Sequence, residues 1–466
     1  AAAARAEPAA VREALDRLGA DVKRWGGSFG AVAVDVSTGA VVFARAEHAP
    51  LNPASNAKLA TAAAALDALG PGHRFSTGLF GKVEREAVDA LVLRGDGDPS
   101  LRSADLAALA QALRGYGVRR VRGIEVDQTL FDDAYAPPAF EQQPGEWAPF
   151  RAPVAPVSVD ENTVTFTVRP TREGSDAAVS IEPPGFVEVS GTVATGAKRD
   201  PDKLVVALEP RGKRLAARLS GAIPDAGRPI YAVKRVDDPR LLAGYALRAA
   251  LKQAGIDVQG DVRLGGRHEK HLLVRHASAP LGELLFALGK DSDNFYAEML
   301  FKALAAAGKR PATAADAADA VTAELRTLGA LDGGVVIRNG SGLFDANRTT
   351  PWAVAQLLRA AYRSPRIAPE FLAQLSIGGV DGTLHGRLRD WAGTRAIRAK
   401  TGTLDAVAAL SGYVLAPSGK SPVAFSVLVN GVPGKASAAR KPMDAVVDAL
   451  ARDVWGGSPP TKTPTP

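Results

Sequence analysis

The chain has 466 residues, 46% hydrophobic and 23% charged, the proportions of a globular protein with room for two or three domains. Its 57 Lys and Arg against 50 Asp and Glu leave a net charge of +7, mild for this length, and no basic block with interleaved aromatics points to nucleic acid. Cysteine is absent, which excludes disulfides, thiolate metal sites, iron–sulfur clusters and a cysteine nucleophile. No stretch of about 18 apolar residues is present to span a membrane. Residues 1–10 (AAAARAEPAA) lack the apolar core of a signal peptide and are read as the start of a mature chain after its removal.

In chain order, residues 8–24 predict an amphipathic helix, with Val11, Leu15, Leu18 and Val22 at helical spacing. Residues 30–44 predict a hairpin turning at Ser37-Thr38-Gly39, and 54–69 an alanine-rich helix ended by Gly70-Pro71-Gly72. Residues 91–101 (LVLRGDGDPSL) read as a strand entering a tight turn, Ser103 as the cap of a short helix, and VRGIEVDQTL as a return to strand. From about 160 to 236 a succession of short β runs punctuated by Pro and Gly predicts a small all-β unit, followed by a helix at 239–254 and a strand-like stretch to 265. Residues 280–307 predict a long helical stretch broken around Gly289. Helices are predicted at 313–328 and 350–363, strands at 407–416 and 422–430, and a last helix at 439–453. The tail, 457–466, is Pro/Thr-rich and is expected to be disordered. The two chain ends together would build one sheet, with the β-rich middle inserted between them.

Three short motifs carry chemistry. In Ser55-Asn56-Ala57-Lys58 the two end residues are three apart and share a helix face, so a lysine of lowered pKa can take the proton of a serine hydroxyl. The position of Ser55 at a helix start also aims its N–H where an oxyanion would sit. Ser292-Asp293-Asn294 interrupts an apolar helical pattern: it is either a simple break with Asp293 and Asn294 capping the next helix, or a place where Ser292 relays a proton and Asn294 offers its amide to a peptide bond. Lys400-Thr401-Gly402-Thr403 enters a strand and combines a cation, two hydroxyls and a glycine that admits close backbone approach. Each alone is weak. Ser-x-x-Lys, Ser-Asp-Asn and Lys-Thr-Gly in this order are together the signature of class A β-lactamases and penicillin-binding proteins. The 237 positions between Ser55 and Ser292 exceed the interval of a compact β-lactamase and require a large insertion.

Over about residues 28–455 the chain resembles the D-alanyl-D-alanine carboxypeptidase/endopeptidases, the class C low-molecular-mass penicillin-binding proteins. The likeness extends to LNPASNAKLATAAAALDALGPGHRF (51–75), GDGDPSL (95–101), APVSVDENTV (155–164), NGSGLFDANRTTP (339–351), GGVDGTLHGRLRD (378–390) and AKTGTLDAVAALSGYV (399–414). It implies an α/β (α+β) fold: a split transpeptidase/β-lactamase-like domain, an antiparallel sheet flanked by helices, formed by 1–70 and 270–456. The insertion would be 71–269, two nested subdomains with the all-β unit at about 160–236. It implies no metal and no cofactor, an extracytoplasmic location, peptidoglycan stem peptides as substrates and β-lactams as inhibitors. Carried over by motif, Ser55 would be the nucleophile, Lys58 the general base, Ser292 the proton relay and Asn294 the orienting amide. Lys400 would supply positive potential that helps depress the base, and Thr401 and Thr403, beside Gly402, would contact the terminal carboxylate. The N–H groups of Ser55 and Thr403 would form the oxyanion hole.

One departure stands out. Family members often place Arg two residues after Ser-Gly-Leu, whereas here Leu343 is followed by Phe344 and Asp345, and an acid there would repel a carboxylate on the substrate side chain. Two other readings use the same residues: a β-lactamase or esterase, which would turn penicillin over rapidly, and a peptidoglycan-binding protein with a decayed site. Arg267-His268-Glu269-Lys270-His271 lacks the histidine spacing of a zinc site, Gly419-Lys420-Ser421 reads as a hairpin turn, and Gly95-Asp96-Gly97-Asp98 reads as a turn rather than a calcium loop.

Overall fold

The computed structural model describes residues 6–197, 202–225 and 227–459. The first helix, α1 (Ala9–Arg24), buries Val11, Leu15, Leu18 and Val22, the stripe its periodicity predicts. It leads into the hairpin β1 (Ser28–Asp35) and β2 (Val41–Arg45), whose turn is tied by Asp35 accepting from the Thr38 N–H at 2.8 Å. A single 3₁₀ turn over Ala54–Asn56 precedes α2 (Ala57–Leu69). That helix is buried from Ala57 to Leu66, so its alanines serve close packing as well as propensity.

Helices α3 (Leu281–Gly289), α4 (Asn294–Ala306), α5 (Ala314–Thr327) and α6 (Pro351–Arg363) come after residue 280. They are followed by β3 (Ser376–Ile377), β4 (Ile397–Leu404), β5 (Val407–Val414), β6 (Val423–Asn430) and α7 (Ala436–Trp455). The sheet runs β2-β1-β6-β5-β4-β3, antiparallel throughout, so the two ends of the chain meet where β1 pairs with β6. Both faces are covered. One, bearing Ala31, Ala33, Leu410 and Val427, packs on α1 and α7 with Trp391 fully buried among them; the other, bearing Val32, Val34 and Tyr413, packs on α2, α4 and α6. Sandwiching explains why β5 and β6 read as continuous apolar runs rather than alternating ones.

Between α2 and α3 lies material with its own hydrophobic core. A five-stranded sheet is ordered Val262–Leu264, Ile124–Asp127, Leu91–Gly95, Ser76–Phe80, Leu272–Ala277, and helices Ser103–Gly115 and Leu242–Gln253 pack against one another beside it. Within that unit, Thr163–Arg169 through Ile230–Arg235 carry three small sheets. Ser103 is not the cap of its helix. The cap is Arg102, whose N–H donates to Asp105 at 2.8 Å, while the Ser103 hydroxyl is drawn off to Asp160. The Pro/Thr-rich tail falls, from residue 460 on, outside the described residues.

Candidate active site

Ser55 sits on the 3₁₀ turn that opens α2, and Ala54 before it takes φ +45°, a conformation uncommon for a residue with a side chain. Asn52 holds this turn: its Oδ1 accepts the Ala54 N–H at 2.8 Å, and its own N–H donates to Asn430 at 2.7 Å. Asn56 anchors it below through Ser411 at 2.7 Å. Strand β4 passes so close that a Cβ on Gly402 would lie 2.9 Å from the Pro53 carbonyl oxygen and 3.0 Å from Ala54 Cβ; glycine is what permits the approach.

Lys58 is fully buried one helical turn on. Its Nζ lies 3.0 Å from Ser55 Oγ, 2.7 Å from Asn294 Oδ1 and 2.8 Å from the Ser341 carbonyl oxygen. Burial pulls its pKa down to about 7, against the opposing pull of Glu298 and Asp293. Burial is the main influence that lowers this lysine. Lys400 is itself fully buried and lies well below an ordinary lysine through burial and the neighbouring Lys58, a repulsion that acts on both lysines.

The second motif is the break between α3 and α4. Ser292 adopts φ +62°, and Asp293 caps α4 by accepting the Tyr296 N–H at 2.9 Å. The strained residue is the one with a partner in the site: Lys400 Nζ donates to Ser292 Oγ at 2.7 Å. Asn294, first in α4, donates its amide N–H to the Phe150 carbonyl at 2.8 Å while its oxygen accepts a hydrogen bond from Lys58 Nζ.

The structure thus brings Ser55, Lys58, Ser292, Asn294 and Lys400 together as two lysine–serine pairs, the first of them also bonded to the Asn294 amide oxygen. Thr401 and Thr403 stand on the other face of β4 from Lys400 and Gly402, as period-two alternation requires. Thr401 donates to Thr383 Oγ1 at 2.8 Å, and Thr403 accepts from Arg440 of α7 at 3.3 Å. Thr383 and Arg440 were not legible as site residues. Thr383 belongs to the turn after β3, where Asp381 holds Lys290 at 2.7 Å and so braces the approach to Ser292. Phe150, half exposed beside Asn294, shows that the stretch between α2 and α3 reaches this site. Glu298 was also missed; its only sequence signal is a lone carboxylate in the apolar pattern of α4.

Asp345 is not the bare acid that its sequence context predicts. Arg348 binds it at 2.6 and 3.1 Å and Asn52 Nδ2 donates to it at 3.0 Å; Arg348 above all holds its carboxyl below the usual range. A guanidinium is present at this corner, three residues later than the family places one.

The architecture is that of the penicillin-binding proteins. Penicillin binding protein 4 from Haemophilus influenzae superposes with a TM-score of 0.77 at 24% identity, covering 94% of this chain and 99% of that one. A predatory peptidoglycan endopeptidase from Bdellovibrio bacteriovorus superposes with a TM-score of 0.54 at 15% identity, covering 94% and 95% of the two chains. The chain belongs to the D-Ala-D-Ala carboxypeptidase 3 (S13) family, whose profile matches residues 11–453, and so is one of the serine-type D-Ala-D-Ala carboxypeptidases. A D-alanyl-D-alanine carboxypeptidase of an Actinomadura species is 36% identical to it over 467 aligned positions, 95% of this chain and 84% of the relative. The Haemophilus influenzae D-alanyl-D-alanine carboxypeptidase DacB is 28% identical over 389 positions, 81% of this chain and 80% of the relative. No described helix is long and apolar enough to cross a membrane.

Proposed function

We propose that this chain is an extracytoplasmic serine D,D-peptidase that releases the terminal D-alanine of peptidoglycan stem peptides and cleaves D,D cross-links through an acyl-enzyme on Ser55. The observation that carries this reading is Lys58, buried, poised near neutrality and 3.0 Å from Ser55 Oγ. Neutral Lys58 takes the Ser55 proton as Oγ adds to the carbonyl carbon of the D-Ala–D-Ala bond. The resulting oxyanion would lie between the backbone N–H groups of Ser55 and Thr403. The C–N bond then breaks as the proton held by Lys58 passes, by way of Ser292 and its Lys400 partner, to the leaving amine, so that Lys58 is neutral again. Water, giving its proton back through Lys58, hydrolyses the ester and frees Ser55.

Thr401 and Thr403 at the edge of β4, with Arg440 reaching Thr403, would receive the terminal carboxylate. A β-lactam presents the same carboxylate and amide geometry, so it would acylate Ser55 too. The same reading takes the region between α2 and α3 as an insertion that walls the site; the place of Leu272–Ala277 as an edge strand of its sheet supports a return to the catalytic unit nearer residue 278 than 269.

Covalent labelling with a fluorescent penicillin tests the nucleophile. Wild type should carry a long-lived label that Ser55→Ala lacks; equal labelling of the two, or rapid turnover of the penicillin, would sink the reading. Mass spectrometry of stem peptides and cross-linked dimers after incubation tests the bond, with loss of one D-alanine and separation of the dimer expected.

A further inference from the structure

Glu298 lies one helical turn after Asn294 on the same face of α4, and it is 2% exposed, the one carboxylate of a largely apolar helix. Its two oxygens accept the Ser341 N–H at 2.8 Å and the Gly340 N–H at 3.2 Å. The far side of the same turn faces α2. There the Gly340 carbonyl accepts from Thr61 Oγ1 at 2.8 Å, and the Ser341 carbonyl accepts from Lys58 Nζ at 2.8 Å. The turn cannot drift. A Cβ on Gly340 would meet Phe301 Cβ at 2.6 Å, and one on Gly342 would meet the Ala54 carbonyl oxygen at 1.9 Å.

A neutral amine has two N–H bonds and one lone pair. Lys58 has three oxygen neighbours: the Asn294 amide oxygen, the Ser341 carbonyl and Ser55 Oγ. The first two can only accept. They therefore take both protons of neutral Lys58 and leave the lone pair pointing at Ser55, the arrangement a general base needs. α4 sets both acceptors, Asn294 directly and the Ser341 carbonyl through Glu298.

We propose that Glu298 is a positioning residue for the base: by clamping the N–H groups of Gly340 and Ser341 it fixes the Ser341 carbonyl that orients Lys58, and its buried carboxyl is the acidic counter-group to Lys58. This rests on the reading of Ser55 and Lys58 as nucleophile and base. That reading is checked separately, because it fails if Ser55→Ala still acylates, whatever Glu298 does.

The test is the pH profile of Ser55 acylation by a chromogenic β-lactam. Glu298→Gln removes the charge and turns an N–H donor toward one of the two backbone donors. The limiting rate should fall by about 10²-fold, as for other misplaced catalytic groups. The acid limb should move to lower pH, because a lysine without its counter-charge loses its proton more readily. Glu298→Asp keeps the charge and withdraws it by one methylene, so it should lose rate with the acid limb in place. Thr61→Val, which loosens the same turn from α2 without altering charge, should behave as Glu298→Asp does. An acid limb in Glu298→Gln that coincides with wild type would overturn the proposal, as would an acid limb that shifts equally in Thr61→Val. If Glu298→Gln does not fold, the other two variants decide: an unchanged limiting rate in both refutes the clamp.

Discussion

With its pKa near 7, Lys58 is about half neutral at pH 7, and each unit of acidification below that cuts the neutral fraction about tenfold. Acylation of Ser55 should therefore rise about tenfold per pH unit through the mildly acidic range and level off above about pH 8. Lys58→Met keeps the length of the side chain and removes the base. The plateau should drop by about 10²–10⁴-fold and its pH dependence should vanish. The assay is rapid mixing with a fluorescent penicillin, acid quench and quantified label, at closely spaced pH values.

The same pKa makes a stability statement. Lys58 is lowered from 10.5 in the unfolded chain to about 7 in the folded protein, so the unfolded chain binds more protons between those values. Its contribution is complete above the unfolded pKa and is lost as pH falls to the folded one, where the cost of burying it reaches about 5 kcal/mol. The stability of wild type minus that of Lys58→Met, from urea melts, should accordingly rise between pH 7 and 10. An acylation profile flat through neutrality, or a midpoint near that of an ordinary lysine, would refute the reasoning.

Gly402→Ala puts a methyl where Pro53 and Ala54 already stand, so β4 must move off the nucleophile's turn; a loss of about 1–3 kcal/mol in thermal or urea unfolding should come with slower acylation. Trp391→Ala should cost about 3–5 kcal/mol, because the indole is fully buried and donates to Asp448 at 2.9 Å, while the labelling stoichiometry of the folded fraction stays the same. Arg348→Ala removes the largest influence that lowers Asp345, so that carboxyl should titrate at higher pH by NMR. The bare acid above that pH should then disfavour stem peptides with a carboxylate side chain by about tenfold in kcat/KM relative to an uncharged analogue, an effect worth about 1.4 kcal/mol.

Much of the site is written locally. Ser55 and Lys58 are three residues apart across the 3₁₀ turn and the first turn of the alanine-rich helix it opens, a spacing that puts them on one face. The break at Ser292–Asn294 is equally local: three poor helix formers end one helix and cap the next. The alternation and the long apolar runs at the two chain ends foretold a shared sheet. What the sequence could not supply depends on atoms brought from far along the chain. The pKa of Lys58 is a desolvation effect, and the walls that exclude water come from α4, the Gly340–Gly342 turn and β4. The pairing of Lys400 with Ser292 spans 108 positions, and that of Lys58 with Asn294 spans 236. Glu298, Thr383, Arg440 and Phe150 match no short motif, because each acts through a backbone group or a neighbour that only packing brings near. Asp345 shows both ranges: Arg348, three residues on, makes it one half of an ion pair, and Asn52, 293 positions away, donates to it as well. Short-range geometry thus set Ser55 beside Lys58 and shaped the break at Ser292, and tertiary packing brought Lys400 to that break and set the protonation, orientation and charge around the two lysines.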